Sequence, residues 1–180
     1  MEEKFSKIKA IIGLGNPSLE YQDTYHNAGY IIIDSLLSSK KNLKEYKDFS
    51  YFKDKNYIFS KTLTFMNESG KAIKNFIDFF KLSPDEILII HDDSDLIIGS
   101  HKISFGKNSA GHKGVESIIK TLKTKDFWRL RIGIRKDESK RAKAEKFVLK
   151  KISKINLKKV YSTADLLKEK LKLKSTSLPT

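Results

Sequence analysis

Apolar and polar positions along this chain fall into blocks whose period changes from element to element. Ile8 to Leu14 is a short continuous apolar run ending in turn residues, the pattern of a buried strand. From about Thr24 to Leu37, Ala28, Ile32 and Leu36 recur every four residues with Ile31 beside them, which predicts an amphipathic helix. Phe49 to Phe52 and Tyr57 to Thr62 read as short strands of a hairpin turning across Asp54 to Asn56. Between Ser69 and Phe80 the residues Ala72, Ile73, Phe76, Ile77 and Phe80 form one helical stripe, and Ser83-Pro84 is expected to close that helix. Glu86 to Ile90 is the strongest central-strand segment, with His91-Asp92-Asp93-Ser94-Asp95 at its carboxyl end. His101 to Phe105 predicts a further strand, Gly106 to Gly111 a loop, and Val115, Ile118, Ile119 and Leu122 a helix. Trp128 to Ile134 alternates, with Arg129 and Arg131 on one face and Leu130, Ile132 and Ile134 on the other. A last helix is expected over Thr163 to Leu171, followed by a frayed tail at 174–180.

Strands separated by helices at this spacing predict an α/β fold: a single three-layer domain over 1–180, with a mixed, partly parallel sheet flanked by helices. Sites in such sheets collect at the carboxyl ends of strands, which places Asn16, Asp92 and the loop after Phe105 on a common rim. The longest apolar runs are far short of a membrane span, and Met1-Glu2-Glu3-Lys4 lacks signal-peptide features. A cytoplasmic location with no membrane partner is therefore expected. With no cysteine, a disulfide framework and thiolate zinc sites are excluded.

The formal charge of +14 comes mainly from lysine, since arginine occurs only at Arg129, Arg131, Arg135 and Arg141. Such a surface suits a polyanion, although a lysine-rich solvated surface has the same composition. Lys102, Lys107 and Lys113 flank the Gly-rich loop, whereas Lys143, Lys146, Lys150, Lys151 and Lys154 read as the solvent face of a late segment.

The densest candidate chemistry lies at the first strand-to-helix junction. Gly13-Leu14-Gly15-Asn16-Pro17 and Thr24-Tyr25-His26-Asn27-Ala28-Gly29 bring two asparagines and a histidine to one place. The spacing is Gly-x-Gly-Asn-Pro, not Gly-x-Gly-x-x-Gly, and no Gly-Lys-Ser/Thr follows, so both nucleotide motifs are absent. Asp92, ending a neighbouring strand, is placed to fix the tautomer of His26 and leave its other nitrogen free to take a proton from water. The plainer alternative is that His26 caps or packs the first helix. No Gly-x-Ser-x-Gly elbow supports serine chemistry at Ser69 or Ser94. His91, Asp92, Asp93 and Asp95, with His101 and His112, offer metal-ligating groups without a recognised ligand spacing, so neither metal nor cofactor is expected. Asp95 suits a turn-holding role. Asn67, in Thr64-Phe65-Met66-Asn67-Glu68-Ser69-Gly70, reads either as an N-terminal cap or as a donor to a substrate carbonyl.

Taken together, these blocks resemble the bacterial-type peptidyl-tRNA hydrolases from near residue 8 to about Leu149. The family's Gly-Leu-Gly-Asn-Pro, then Tyr, then Thr-Arg-His-Asn-x-Gly matches Gly13 to Pro17, Tyr21 and Thr24 to Gly29, with Tyr25 where arginine is usual. The segments 64–70, 91–96, 111–114 and 127–134 resemble the remaining signatures in order. The resemblance implies a monomeric α/β domain that hydrolyses the ester joining a peptide to the terminal ribose of tRNA. It implies His26 as the base, Asp92 as its orienting carboxylate, Asn16 and Asn67 as active-site amides, and Tyr21 and Met66 along the substrate groove. Arg131 corresponds to a residue gripping tRNA phosphate, with Lys102 in the adjoining basic segment. Charge reversal at Arg131 is accordingly expected to weaken association with little effect on folding.

This sequence departs from the pattern at Lys113, where the family usually has asparagine, and a lysine cannot reproduce an amide's donor and acceptor pair. Lys113 and Lys107 are positioned to recover phosphate attraction, while Ser104 stands where a phosphate-contacting lysine is common. An RNA-binding relative without catalysis is the alternative this departure raises.

Overall fold

The computed structural model describes residues 6–37, 42–136 and 147–171. Among them, seven strands form one sheet: β1 (Ala10–Gly13), β2 (Lys44–Tyr46), β3 (Phe49–Lys53), β4 (Ile58–Thr62), β5 (Ile87–Ile97), β6 (His101–Phe105) and β7 (Trp128–Arg135). Their order is β2-β3-β4-β1-β5-β7-β6. The central strands β4, β1, β5 and β7 run parallel, and antiparallel partners close both edges. Helices α1 (Ala28–Leu37), α2 (Ser69–Phe80), α3 (Lys113–Leu122) and α4 (Lys154–Lys170) cover the sheet.

The alternation along the strands explains the layers. Ile11, Leu88, Ile90, Leu130, Ile132 and Ile134 face α1 and α4, which contribute Ile32, Leu36, Val160, Ala164 and Leu167 to that core. Ala10, Ile12, Ile87 and Ile89 face the other way, where Ile73, Phe76 and Ile77 of α2 meet Val115 and Ile118 of α3. The three-layer arrangement with a mixed, partly parallel sheet therefore stands as expected, as does the helix at 69–80.

Several boundaries differ from expectation for local reasons. Lys81 ends α2 in the left-handed conformation, with Leu82 N–H donating to Ile77 O at 2.9 Å; Ser83-Pro84 instead opens a short 3₁₀ turn whose first amide donates to Glu86. β5 continues through His91-Asp92-Asp93, paired with Arg131-Ile132-Gly133 of β7, before a bulge ahead of Ile97. β2, wholly exposed, has no apolar signal. The last helix begins at Lys154, not near Thr163, because the Ser153 side chain accepts from Asn156 N–H and caps it. Its first turns expose Ile155 and several lysines, which hides the period. The expected tail at 174–180 lies outside the described residues, as do Lys143 and Lys146.

One close approach seats α1 against the sheet. A β-carbon on Gly29 would lie 2.4 Å from Ile90 O and 2.5 Å from Leu14 O, both backbone atoms that cannot swing aside. Gly29→Ala should therefore cost on the order of 2–3 kcal/mol by overpacking. The measurement is urea unfolding, where a lowered midpoint at unchanged slope is expected and an unchanged midpoint would show that the helix can lift off without penalty.

Candidate active site

The expected rim forms at the carboxyl ends of β1 and β5. After β1 the chain turns at Asn16, whose backbone N–H donates to Asn27 Oδ1 at 2.8 Å, while Asn27 Nδ2 returns a bond to Asn16 O at 3.0 Å. The Asn16 side chain accepts from Met66 N–H at 2.8 Å, so the two asparagines tie the β1 turn to the segment preceding α2. His26 lies in a 3₁₀ turn, Tyr25–Asn27, just ahead of α1. Its backbone N–H donates to Val148 O at 2.8 Å and that of Tyr25 to Lys150 O at 3.2 Å, fixing the turn against the chain leading to α4.

His26 Nδ1 stands 2.8 Å from Asp92 Oδ1. A second imidazole, His112 Nε2, stands 2.9 Å from the same oxygen. His112 is also the N-cap of α3: its Nδ1 accepts from Val115 N–H at 3.2 Å, so its proton sits on Nε2 and points to Asp92. An ionised Asp92 accepts from both rings, which places the proton of neutral His26 on Nδ1 and leaves Nε2 as a lone pair. Burial alone would raise the Asp92 carboxyl, but the His26 and His112 imidazoles and their hydrogen bonds hold it well below the usual carboxylate range. His91, the next residue back, is buried and donates from Nδ1 to Asp92 O at 2.7 Å; burial and the nearby His112 push it well below the ordinary histidine value, so it is neutral.

His26, Asp92 and His112 line a cleft of about 400 Å³ with Asn16, Met66, Asn67 and Lys113 on its walls. Phe65, Val148 and Leu149 supply apolar surface there, and Ser109 to Gly111 bring in the Gly-rich loop. Asn67 is exposed within a 3₁₀ turn, Met66–Glu68, and makes no cap, which leaves its amide to the cleft. Tyr21 does not line the cleft itself; it stands edge-on to Phe65 with ring centroids 6.4 Å apart. His112 was not among the expected site residues, although its place before an apolar helical stripe could have marked it as a cap.

The basic residues divide into two kinds. Lys102 and Lys107 are exposed on β6 and in the loop. Arg131, cross-strand partner of Lys102, is instead committed to Asp93, with Nε to Oδ2 at 2.5 Å and its side chain 18% exposed. The expectation that Arg131 can be reversed without harm to folding is thus corrected: an acidic replacement would face Asp93 in a nearly buried position. Asp93 also takes the turn-holding role expected of Asp95, accepting from Asp95 N–H at 2.9 Å.

His26, Asp92 and His112 offer three metal-ligating atoms within 4.8 Å of one another. Both imidazole contacts to Asp92 are nevertheless hydrogen-bond separations with their protons assigned, and a cation would have to displace them. The His91 ring packs against His112 with centroids 4.6 Å apart, but its Nδ1 is turned to Asp92 O, and His101 lies by α4, so among the described residues the ligand atoms that gather are those of His26, Asp92 and His112.

A peptidyl-tRNA hydrolase family model matches residues 10–178. The peptidyl-tRNA hydrolase of Persephonella marina is 43% identical over 163 residues, 86% of this chain and 86% of that one. That of Mycoplasma capricolum is 45% identical over 135 residues, covering 72% and 73%. Among solved structures, the peptidyl-tRNA hydrolase of Acinetobacter baumannii superposes with a TM-score of 0.81 at 31% identity, covering 93% of this chain and 88% of its own.

The depressed Asp92 fixes the sign of one acid response. Between its folded and unfolded values the unfolded chain binds the extra proton, so the stability that Asp92 contributes is full above about pH 4, the ordinary carboxylate range, and is lost as pH falls. His91, lowered likewise, adds a loss that begins as pH drops through its ordinary 6.5. Urea midpoints recorded against pH should therefore decline less steeply below about pH 4 in Asp92→Asn than in the parent chain. Parallel slopes would remove Asp92 as the source.

Proposed function

This chain belongs to the peptidyl-tRNA hydrolase family, and on that premise we propose that His26 is the base that activates water for ester hydrolysis, with Asp92 as its orienting carboxylate. The protein hydrolyses the ester bond of peptidyl-tRNA, releasing free peptide and reusable tRNA. What supports the catalytic assignment most directly is the 2.8 Å contact from His26 Nδ1 to a buried, ionised Asp92 beside the cleft.

The step follows from the tautomer. Water donates a proton to His26 Nε2 as its oxygen bonds to the ester carbonyl carbon, and Asp92 stabilises the imidazolium that forms. Asn67 Nδ2 is the group on the cleft wall suited to donate to the developing carbonyl oxyanion. Collapse breaks the bond to the ribose oxygen, and the imidazolium returns the proton to that leaving oxygen. Asn16 acts through position, holding the Met66 amide and the wall that carries Asn67. Met66 shapes the groove, Tyr21 supports it through Phe65, and Lys113 forms part of the cleft wall. No cofactor takes part in these steps.

Peptidyl-tRNA is the substrate partner, recognised at its acceptor region through phosphate and shape by Lys102, Lys107 and the Arg131 neighbourhood. We assign the protein a cytoplasmic, monomeric, single-domain role on the same family grounds. No helix among the described residues is long and apolar enough to cross a membrane. A purely RNA-binding role would leave two imidazoles converging on one carboxylate oxygen without work to do.

Purified protein incubated with defined peptidyl-tRNA tests the assignment. His26→Ala should lose about 10²- to 10⁴-fold in kcat with fold intact, and undiminished release of tRNA would reject it. Lys107→Glu should weaken association and flatten its dependence on log salt by about one contact, without changing the urea midpoint. Equal association of the reversed and parent proteins across several salt concentrations would take Lys107 out of the tRNA surface.

A further inference from the structure

Arg129 is 2% exposed, and among the described residues its guanidinium makes no ion pair. It projects from β7 on the α3 side of the sheet, between Ile89 of β5 and Ser104 of β6. The acid whose charge reaches it, Asp93, is already bonded to Arg131. Burial and the neighbouring Arg131 pull the Arg129 guanidinium below its ordinary value, as expected for a charge poorly compensated in the interior. Leucine or methionine would fill that volume without the desolvation cost. What arginine adds is reach: Nη2 donates to Asn108 O at 3.1 Å, in the middle of the Gly106–Gly111 loop. A donor carrying charge makes a stronger bond than a neutral one.

That loop needs holding. Gly106, Ala110 and Gly111 all have positive φ, at 64°, 51° and 80°, and for Ala110 this conformation is strained. Its other end is anchored by His112 N–H to Ser109 O at 3.1 Å. Ser109, Ala110 and Gly111 wall the cleft, and the next residue is the imidazole that bonds Asp92. Packing explains none of this dependence on a single backbone carbonyl.

We infer that Arg129 is a positioning residue for the hydrolysis: its bond to the Asn108 carbonyl sets the Gly106–Gly111 loop so that His112 reaches Asp92 and the cleft wall is closed. The inference rests on the reading of His26 and Asp92 as the reacting centre, and the loop measurement below does not depend on that reading.

The test uses the full chain carrying Arg129→Met, with amide hydrogen exchange read beside turnover of peptidyl-tRNA. The His112 and Val115 amides should exchange at least about tenfold faster while those of Ile89 and Leu130 keep their rates. Turnover should fall about tenfold, and in a His112→Ala background the same substitution should cost less than about twofold further. Faster exchange throughout the sheet, or no change in the loop, would reduce Arg129 to a core filler and overturn the inference; so would a full additional loss in the His112→Ala background. If Arg129→Met does not fold, Arg129→Gln, polar but too short to reach Asn108, carries the same exchange test with the same expected and opposing outcomes. Failure of the catalytic reading is distinguishable, because it appears as intact turnover in His26→Ala whatever the loop does.

Discussion

One buried oxygen, Asp92 Oδ1, organises this site. It receives hydrogen bonds from His26 at 2.8 Å and His112 at 2.9 Å, from residues 66 positions before it and 20 after. A carboxylate so enclosed is tolerated only because two donors converge on it, and each donor is fixed from behind. The His26 turn is pinned to Val148 and Lys150, and the His112 ring is pinned by the first turn of α3. Parallel pairing of β1, β5 and β7 is what brings these ends to one edge, and the tight seat of Gly29 keeps the His26 turn low over β5. Fold and site share a constraint here: loosening the crossover that carries α1 would move His26 away from Asp92.

Charge along β6, β7 and the loop follows a different logic. Two of the three arginines of β7 serve the interior, Arg131 through Asp93 and Arg129 through the loop backbone, where a planar guanidinium can satisfy fixed acceptors. Lys102 and Lys107 remain in solvent, where a hydrated ammonium on a flexible stem suits contact with phosphates. The strong positive balance of the chain is thus not one uniform tRNA surface. Part of it is structural, and the part available to a polyanion is mainly lysine.

Much of this was legible in the sequence because the central elements obey simple periods. The stripe from Ala72 to Phe80 and the alternation from Leu130 to Ile134 both pack as their spacing implies. What escaped prediction involved side chains whose partners are distant. β5 runs on through His91-Asp92-Asp93 because polar groups there find partners on other elements, a fact no local pattern encodes. The start of α4 was masked by exposed lysines, and β2 is held by pairing with β3 and by one ring, Tyr46, packed on Phe49 and Phe79. At the site, His26, Asp92, Asn16, Met66, Asn67 and Lys113 meet at the cleft as expected, whereas Tyr21 stands behind Phe65 and Arg131 is engaged elsewhere. The role of His112 is invisible until α3 is seen to start on it.

The two imidazoles are bound to the same oxygen, yet their chemistry differs because their second nitrogens do. The Nδ1 of His112 is occupied by a helix amide, so that ring has no basic atom left to offer and its bond to Asp92 is structural. In His26 the nitrogen facing Asp92 is Nδ1, so it is Nε2 that points away from the carboxylate. Turning the His112 ring away from Val115 N–H would undo the helix start and the loop geometry together. The helix cap therefore does directional work: it fixes the second ring so that its Nε2 stays aimed at Asp92 Oδ1, the oxygen that His26 Nδ1 also meets.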